Sequence, residues 1–371
     1  MQLGPFPPPH GGVEINLVAI RDYLRRRQIQ CGVINLTRHR RPNADEVVYP
    51  KSAVEVISSL LRSDARVLHL HIGGDVSWRL LFLGFICSLL PGRKAILTLH
   101  SGGYPSSAAG KAARRFSFRG FLLRWFDGLI GVNQEIANMF VRFGVPENKI
   151  RVIVPFALRI APQTAELPEQ VRIFCGSRKP MFVSVNGLEP EYDIPLQIGA
   201  FEDALRKFPN AGLLICGGGS LQATLRAEIA TKPFADHILL AGDLPHDVVL
   251  NAISQADAFM RTTQYDGDSI AVREALHLGV PTIATDTGAR PGGVHLIPIG
   301  DRAALAEALS ACGTGAVKPA ESRLETSQTD EGNLASVLDF YAELLGCRVS
   351  DEIAVGQQPH PCNAEPNDSI G

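Results

Sequence analysis

Segments typical of buried strands alternate with segments typical of amphipathic helices along this 371-residue chain. The alternation runs from Gly12 to Pro155, starts again at Met181 and continues to Thr285. This order predicts a parallel sheet with helices on both faces, and the restart predicts a second such sheet. The chain is also too long for one core. We therefore expect an α/β protein of two doubly wound domains that face each other across a ligand cleft.

The first strand and the domain boundaries follow from the order of the segments. Only Met1-Gln2-Leu3 precede the first glycine turn, whereas a strand usually has about five or six residues. We expect a truncated first strand, with the assigned start codon downstream of the true one. The expected parts are an N-terminal domain over residues 1–156, a linker over 157–172, a second domain over 173–330, a helix over 331–347 that packs back towards the N-terminal domain, and a disordered polar tail over 348–371.

Charge is distributed unevenly, although the formal net charge is only −2. Residues 1–165 contain 22 Lys and Arg against 10 Asp and Glu, which leaves 14 against 28 for the remainder. The basic half predicts an anionic partner, such as a membrane surface or a phosphorylated acceptor, or else only a solvated basic face. Lys111–Trp125 is predicted to be a basic amphipathic helix that would rest on anionic lipid, with a plain packed helix as the alternative. No nucleic-acid-binding motif accompanies it.

The cysteines and the apolar runs predict the compartment. Seven cysteines are scattered without a CxxC pair, as expected of small buried side chains in a reducing environment. The longest apolar run, Leu80 to Leu90, is too short to span a membrane. We expect a cytoplasmic protein that contacts the inner face of the membrane peripherally.

The segment from Arg261 to Leu276 is the most informative for function, because it ends a strand, turns on Gly267 and opens a helix near Ile270. Asp268 or Ser269 is placed to cap that helix, whose free N–H groups would face an anion. Asp266 and Glu274 bracket this end of the helix, and carboxylates suit a polyhydroxylated ligand. An ordinary capped strand-turn-helix is the alternative interpretation.

Two further features lie at the same predicted edge. Gly11-Gly12 precedes a helix and either approaches an anion or forms a tight turn. His100 ends a strand, where it would donate to a sugar hydroxyl or to a developing charge unless its role is structural. His69 and His71 flank Leu70 on another strand and are interpreted as structural rather than as metal ligands.

In combination these segments resemble the family 4 (group 1) glycosyltransferases over roughly residues 4–345. The resemblance rests on Gly-Pro-Phe-Pro-Pro-Pro-x-Gly-Gly-Val at the start, on His100-Ser101-Gly102-Gly103, on Gly144 to Ile150, and on Asp266 to Glu274 followed by Ala275 to Thr285. It implies the GT-B fold and transfer of a sugar from a nucleotide-diphosphate donor. It further implies retention at the anomeric carbon, no metal and no cofactor.

The resemblance also implies roles for individual residues. Asp266 and Glu274 would be the two members of the family's acidic motif, with Asp266 on the donor sugar and Glu274 on the ribose. Ile270 would supply an N–H to the diphosphate, and His100 matches the active-site histidine. The implied set is His100 and Asp266 as catalytic residues, with Gly11, Gly12, Arg261, Gly267, Asp268, Ser269, Ile270, Arg273 and Glu274 binding the donor.

One departure from the family pattern concerns the phosphate clamp. Gly187 and Tyr192 stand where the family has an Arg and a Lys that bind the diphosphate. Losing both cations costs roughly a few kcal/mol of charge neutralisation unless others replace them. Arg261, Arg273 and Arg290 are the candidates, and Arg261 is preferred because it lies at a strand end.

The sequence thus predicts a retaining, metal-independent glycosyltransferase that acts on a glycan, lipid-linked or polysaccharide-precursor acceptor of the cell envelope. The missing clamp leaves open a catalytically degenerate GT-B protein that binds nucleotide or glycan as a partner subunit. A GT-B epimerase or phosphorylase is a third possibility, although no lysine is placed for a pyridoxal cofactor.

Overall fold

A computed structural model describes residues 1–8, 10–37, 46–155, 165–288, 290–317 and 331–347. These residues form two parallel α/β units, each with its own sheet and core, which confirms the predicted fold class. Ordinary propensities explain the elements: the strands are runs of apolar residues, and most of the longer helices begin at a Ser, Asn or Asp cap.

The N-terminal unit has a sheet of seven strands among the described residues. Its spatial order is β3-β2-β1-β4-β5-β6-β7, with every pair parallel. The order reverses between β1 and β4, so a crevice opens there at the carboxyl ends of the strands. The strands are β1 Gln2–Gly4, β2 Val33–Asn35, β3 Val47–Val48, β4 Val67–Ile72, β5 Lys94–Leu99, β6 Gly128–Gly131 and β7 Ile150–Val152, and the helices are α1 Gly12–Arg26, α2 Ala53–Arg62, α3 Trp78–Leu89, α4 Gly103–Ser106, α5 Ala108–Lys111, α6 Phe118–Trp125 and α7 Gln134–Arg142.

The second unit has six strands in its described part, in the order β10-β9-β8-β11-β12-β13. Its order reverses between β8 and β11, which places a second crevice opposite the first. Helix α8 begins within the segment 157–172 that was expected to be a linker, and residues 157–164 lie outside the described ranges. The strands are β8 Met181–Val185, β9 Gly212–Cys216, β10 Ile238–Gly242, β11 Ala258–Arg261, β12 Thr282–Thr285 and β13 His295–Ile297, and the helices are α8 Glu169–Ser177, α9 Ile194–Leu205, α10 Gln222–Ala230, α11 His246–Ser254, α12 Ile270–His277 and α13 Arg302–Gly313.

Helix α14, Gly332–Leu345, follows the second unit in the chain but packs on the first. Its buried residues Leu338 and Tyr341 share a cluster with Ile20 of α1 and Ile96 of β5. Arg151 donates two hydrogen bonds to Glu343, at 2.7 and 2.8 Å. The tail expected to be disordered, residues 348–371, lies outside the described part of the chain.

The helix predicted over Lys111–Trp125 is not continuous. Helix α5 ends at Lys111 and α6 begins only at Phe118. The cause is a second capping residue, because the Ser117 hydroxyl accepts from the Gly120 N–H at 3.1 Å and starts a new helix. None of the helices in the described ranges is both long and apolar enough to cross a membrane.

Candidate functional site

A cleft of about 410 Å³ lies between the two units, at the carboxyl ends of both sheets. The N-terminal unit contributes the loops after β1, β4 and β5, and the second unit contributes those after β8, β9, β10 and β11. Arg273 and Arg290 are not among the residues that line it. The predicted residues that do line it are Gly11, Gly12, His100, Arg261, Asp266, Gly267, Asp268, Ser269, Ile270 and Glu274.

Helix α12 presents its N-terminus to this cleft. Of the two residues predicted as its cap, Ser269 fills that role, and its hydroxyl accepts from the Val272 N–H at 3.4 Å. Asp268 instead pairs with Arg273, whose Nε donates to the carboxylate at 2.8 and 3.0 Å. Burial raises the pKa of Asp268, and Arg273 opposes that rise. Arg273 is therefore engaged by an acid of the same helix end and is not placed as a phosphate clamp.

Asp266 lies between two guanidinium groups. Arg261 donates from Nε to Oδ2 at 2.6 Å and from Nη2 to Oδ1 at 3.3 Å, while Arg290 donates from Nη1 to Oδ2 at 2.8 Å. Burial raises the pKa of Asp266, but the two arginines outweigh burial and the pKa is lowered overall. The carboxylate is thus ionised at neutral pH, and the group of two cations and one anion carries a net charge of 2 − 1 = +1.

Arg261 is fixed on three sides. Besides Asp266, its Nη1 donates to the Val185 carbonyl at 3.0 Å, and its guanidinium lies 5.1 Å from the centre of the Tyr192 ring. Tyr192 stands where the family has one of its two basic clamp residues, and here its ring contacts the guanidinium group of Arg261 instead. Nη2 of Arg290 is buried without a hydrogen-bond partner among the described residues.

Glu274 has a partner that the sequence did not suggest. Its side chain is only 9% exposed, and Nε2 of His246 lies 2.6 Å from its Oε1. His246 begins α11 and also lines the cleft. His246 lies shortly after the carboxyl end of strand β10 in the sequence. A comparison of the polar residues that follow every strand would therefore have identified it.

His100 lies within a cluster of histidines. Its Nε2 is 3.2 Å from Nδ1 of His71, a buried residue behind the cleft that was interpreted as structural. Burial lowers the pKa of His100 to about 3, and the ring is neutral at physiological pH. Across the described ranges, no group of three or more His, Cys, Asp or Glu residues is arranged to hold a metal ion.

The two units touch closely at one edge of the cleft. A Cβ atom added to Gly102 would lie 2.0 Å from the Asp266 carbonyl oxygen, and one added to Gly267 would lie 2.1 Å from the His100 carbonyl oxygen. Asn133, which caps α7, also donates from Nδ2 to the Gly267 carbonyl at 2.6 Å. Glycine at these positions therefore permits the backbone of one unit to meet that of the other.

Two facing doubly wound units with a cleft between their strand ends define a protein of the GT-B fold. Two family models match the chain: Glycosyltransferase Family 4 over residues 10–156 and Glycosyl transferases group 1 over residues 171–294. The chain belongs to this family of glycosyltransferases, as the resemblance predicted.

Individual relatives are more distant. The chain is 25% identical to a phosphatidyl-myo-inositol mannosyltransferase of Mycobacterium leprae over 339 residues, covering 81% of this chain and 83% of that protein. The fold is similar to that of Anabaena HepE, solved in complex with UDP-glucose, with a TM-score of 0.64, 16% identity and coverage of 95% and 98%. A mutant of S. aureus TarM, solved with UDP, has a TM-score of 0.56 and 14% identity; 78% of this chain matches it and spans 58% of its length.

Proposed function

We propose that this protein is a retaining glycosyltransferase that moves a sugar from a nucleotide-diphosphate donor to a glycan, lipid-linked or polysaccharide-precursor acceptor without a metal ion. The observation that carries the proposal is the convergence of Gly12, His100 and Glu274 with the open end of α12 around one cleft. Family membership supports the same reaction. The mannosyltransferase relative and the UDP-glucose complex support a nucleotide-sugar donor.

Local positive charge beside the N-terminus of α12 favours a diphosphate site there despite the missing clamp, although Glu189, Glu191 and Asp243 line the rest of the cleft. The group formed by Arg261, Arg290 and Asp266 has a net charge of +1, and α12 adds the partial positive charge of its N-terminus. The first N–H groups of a helix have no partner within the helix, so that of Ile270, the first residue of α12, would bind a phosphate oxygen. These sources of positive charge would stabilise the leaving diphosphate without a metal.

The acidic residues supply the contacts to hydroxyl groups. A carboxylate has about four lone-pair positions, and three on Asp266 already accept from the two arginines. The position that remains, on Oδ1, would accept from one hydroxyl of the donor sugar. Glu274, held by His246, would accept from the ribose hydroxyls. Asp266 therefore acts in this proposal as a binding carboxylate rather than as a free nucleophile.

Substitution of Glu274 tests the activity. We expect Glu274→Ala to lower kcat/KM for transfer or donor hydrolysis roughly 10- to 100-fold, because charge-assisted hydrogen bonds contribute about 1.5–3 kcal/mol. The measurement is turnover of a panel of nucleotide sugars with and without lipid-linked acceptors, and NMR of the product gives the anomeric configuration. Glu307→Ala, an exposed glutamate of α13 in the same unit, is the matched control and should retain activity. Binding without turnover for every donor would instead favour the degenerate partner subunit.

We also propose that the N-terminal unit rests on an anionic membrane through exposed side chains of α3, of α6 and of the turn before α6. Trp78 and Phe118 are in contact, with ring centres 5.7 Å apart, and the contacts continue along both helices. Residues 76–126 contain eight Lys and Arg and no Asp or Glu. The aromatic face consists of Trp78, Phe82, Phe116, Phe118, Phe121 and Trp125, each between 42% and 93% exposed.

The chemistry of this face favours lipid over water. Aromatic rings settle at the headgroup level, and nearby cations attract anionic lipids. Lys111 at the end of α5, and Arg114 and Arg115 in the turn that separates α5 from α6, are exposed beside the face. A cytoplasmic protein held at the inner face of a membrane would meet a lipid-linked acceptor there.

Cosedimentation with vesicles tests this contact. We expect the protein to bind vesicles that contain phosphatidylglycerol and to bind pure phosphatidylcholine weakly. Phe116→Ser with Phe118→Ser should reduce binding by about tenfold for each phenylalanine, because burial of one contributes at least 1.5 kcal/mol. Leu296→Ser, which changes a 48% exposed apolar residue of the second unit, should not alter binding. Equal binding by the double variant would contradict the proposal.

A further inference from the structure

A chain of buried polar side chains runs from the cleft, across the N-terminal sheet, to helix α14. His100 Nε2 lies 3.2 Å from His71 Nδ1, and His71 Nε2 lies 2.8 Å from the side-chain oxygen of Gln2. Gln2 Nε2 donates to the Tyr341 hydroxyl at 3.3 Å. The Tyr341 hydroxyl lies 2.5 Å from His69 Nδ1. The chain thus connects the candidate active-site histidine to the C-terminal helix.

Each histidine in this chain is neutral. Burial lowers the pKa of His100 to about 3 and lowers those of His69 and His71 well below the ordinary value. Burial also raises the pKa of the Tyr341 phenol, which keeps its proton. A neutral imidazole has one N–H donor and one lone-pair acceptor. Fixing the role of one nitrogen therefore fixes the role of the other.

The Gln2 amide determines the direction of the chain. Its oxygen accepts, so His71 carries its proton on Nε2 and presents a lone pair on Nδ1. That lone pair accepts from His100, which must then carry its proton on Nε2. At the other end of the amide, Nε2 donates to Tyr341, whose own O–H donates to His69 Nδ1. His69 Nε2 completes the chain by donating to the Thr98 hydroxyl at 2.6 Å.

We propose that His71 and Gln2 are positioning residues that hold His100 in the Nε2–H tautomer, so that His100 presents Nδ1 to the cleft as a hydrogen-bond acceptor. An acceptor there binds a hydroxyl group of the substrate. Both roles expected from the sequence, towards a sugar hydroxyl and towards a developing charge, had His100 as the donor, whereas in this proposal Nδ1 accepts. The identity of the hydroxyl rests on the proposed function, whereas the tautomer rests on the hydrogen bonds alone.

Nitrogen NMR of the full chain labelled with ¹⁵N-histidine tests the tautomer directly, and His100→Asn assigns the signal by its loss. We expect a protonated Nε2 and an unprotonated Nδ1 on His100. In His71→Leu the acceptor is gone, so both tautomers of His100 should appear and kcat should fall by up to about tenfold, the effect of one hydrogen bond. In His71→Asn the amide oxygen replaces the Nδ1 lone pair, so the tautomer and much of kcat should be retained.

The outcomes separate the tautomer from the activity. A proton on Nδ1 of His100 in the unchanged protein, which is the state produced by the reversed amide of Gln2, would overturn the proposal. An unaltered tautomer in a folded His71→Leu variant would overturn it as well, because another group would then determine the tautomer. The expected tautomer without turnover of any nucleotide sugar would refute only the proposed function.

Discussion

Gly102→Ala is expected to lower kcat/KM for glycosyl transfer by about 100-fold while both units stay folded. Gly102 has φ −66° and ψ −24°, a right-handed conformation that alanine adopts without strain. The added methyl group would nevertheless lie 2.0 Å from the carbonyl carbon and oxygen of Asp266 in the other unit. The two units therefore cannot approach each other as closely as they do in the wild-type protein. A displacement of about 1 Å between reacting groups lowers the rate by about 100-fold.

Two measurements distinguish an opened cleft from a damaged fold. Small-angle scattering should give a larger radius of gyration for Gly102→Ala, whereas thermal unfolding should change little. Gly176→Ala is the matched control, because a Cβ atom at that position of α8 meets no atom within 4 Å. Full activity with unchanged scattering in Gly102→Ala would mean that the contact between Gly102 and Asp266 is not required for the reaction.

The fold was predictable because its signal is periodic. Long apolar strands such as β4 and β5 bury almost every residue, and such runs separated by amphipathic helices indicate a parallel sheet. Elements without periodicity were not predicted. Strand β13 exposes two of its three residues, and β3 has only two residues. The break between α5 and α6 depends on one serine cap inside a sequence that otherwise continues a helix.

The backbone positions of the candidate site were predictable from strand ends, whereas the partners of its side chains were not. Arg261 and Asp266 are five residues apart, so their pairing is local. Arg290 reaches Asp266 from 24 residues away, and His246 reaches Glu274 from 28 residues away. Distances such as these are set by the packing of loops after different strands, and one sequence contains no record of that packing.

The contact between His71 and His100 was partly predictable from the sequence. His71 pairs with Thr98 in the register of β4 and β5, and His100 lies two residues further along the same face. Knowledge that these strands are adjacent would have sufficed to bring the two rings together. The order β4-β5 is the common arrangement of consecutive strands, so this signal was available in the sequence.

Asp266→Asn is expected to destabilise the second unit by about 3–5 kcal/mol at pH 7, because it leaves two buried guanidinium groups without their counter-ion. Arg290 has a side chain only 2% exposed, and that of Arg261 is 10% exposed, so water cannot replace the carboxylate. The pKa of Asp266 is lowered in the folded state. Its stabilising contribution is therefore present above the unfolded pKa of about 3.9 and is lost as the pH falls through the lowered folded pKa.

Urea unfolding of the wild-type protein and of Asp266→Asn measures this contribution. Circular dichroism should show the loss at pH 7, and the difference between the two proteins should shrink below about pH 4. Both tryptophans of the chain, Trp78 and Trp125, belong to the N-terminal unit, so their fluorescence provides an internal control that should shift less. Adding Arg290→Met to Asp266→Asn should restore part of the lost stability, because one unpaired buried cation is removed. Arg290→Met alone gives the cost of losing Arg290. If adding Arg290→Met to Asp266→Asn lowers the stability by that same amount, the two side chains are not coupled, and the charge of Asp266 is balanced by Arg261 alone.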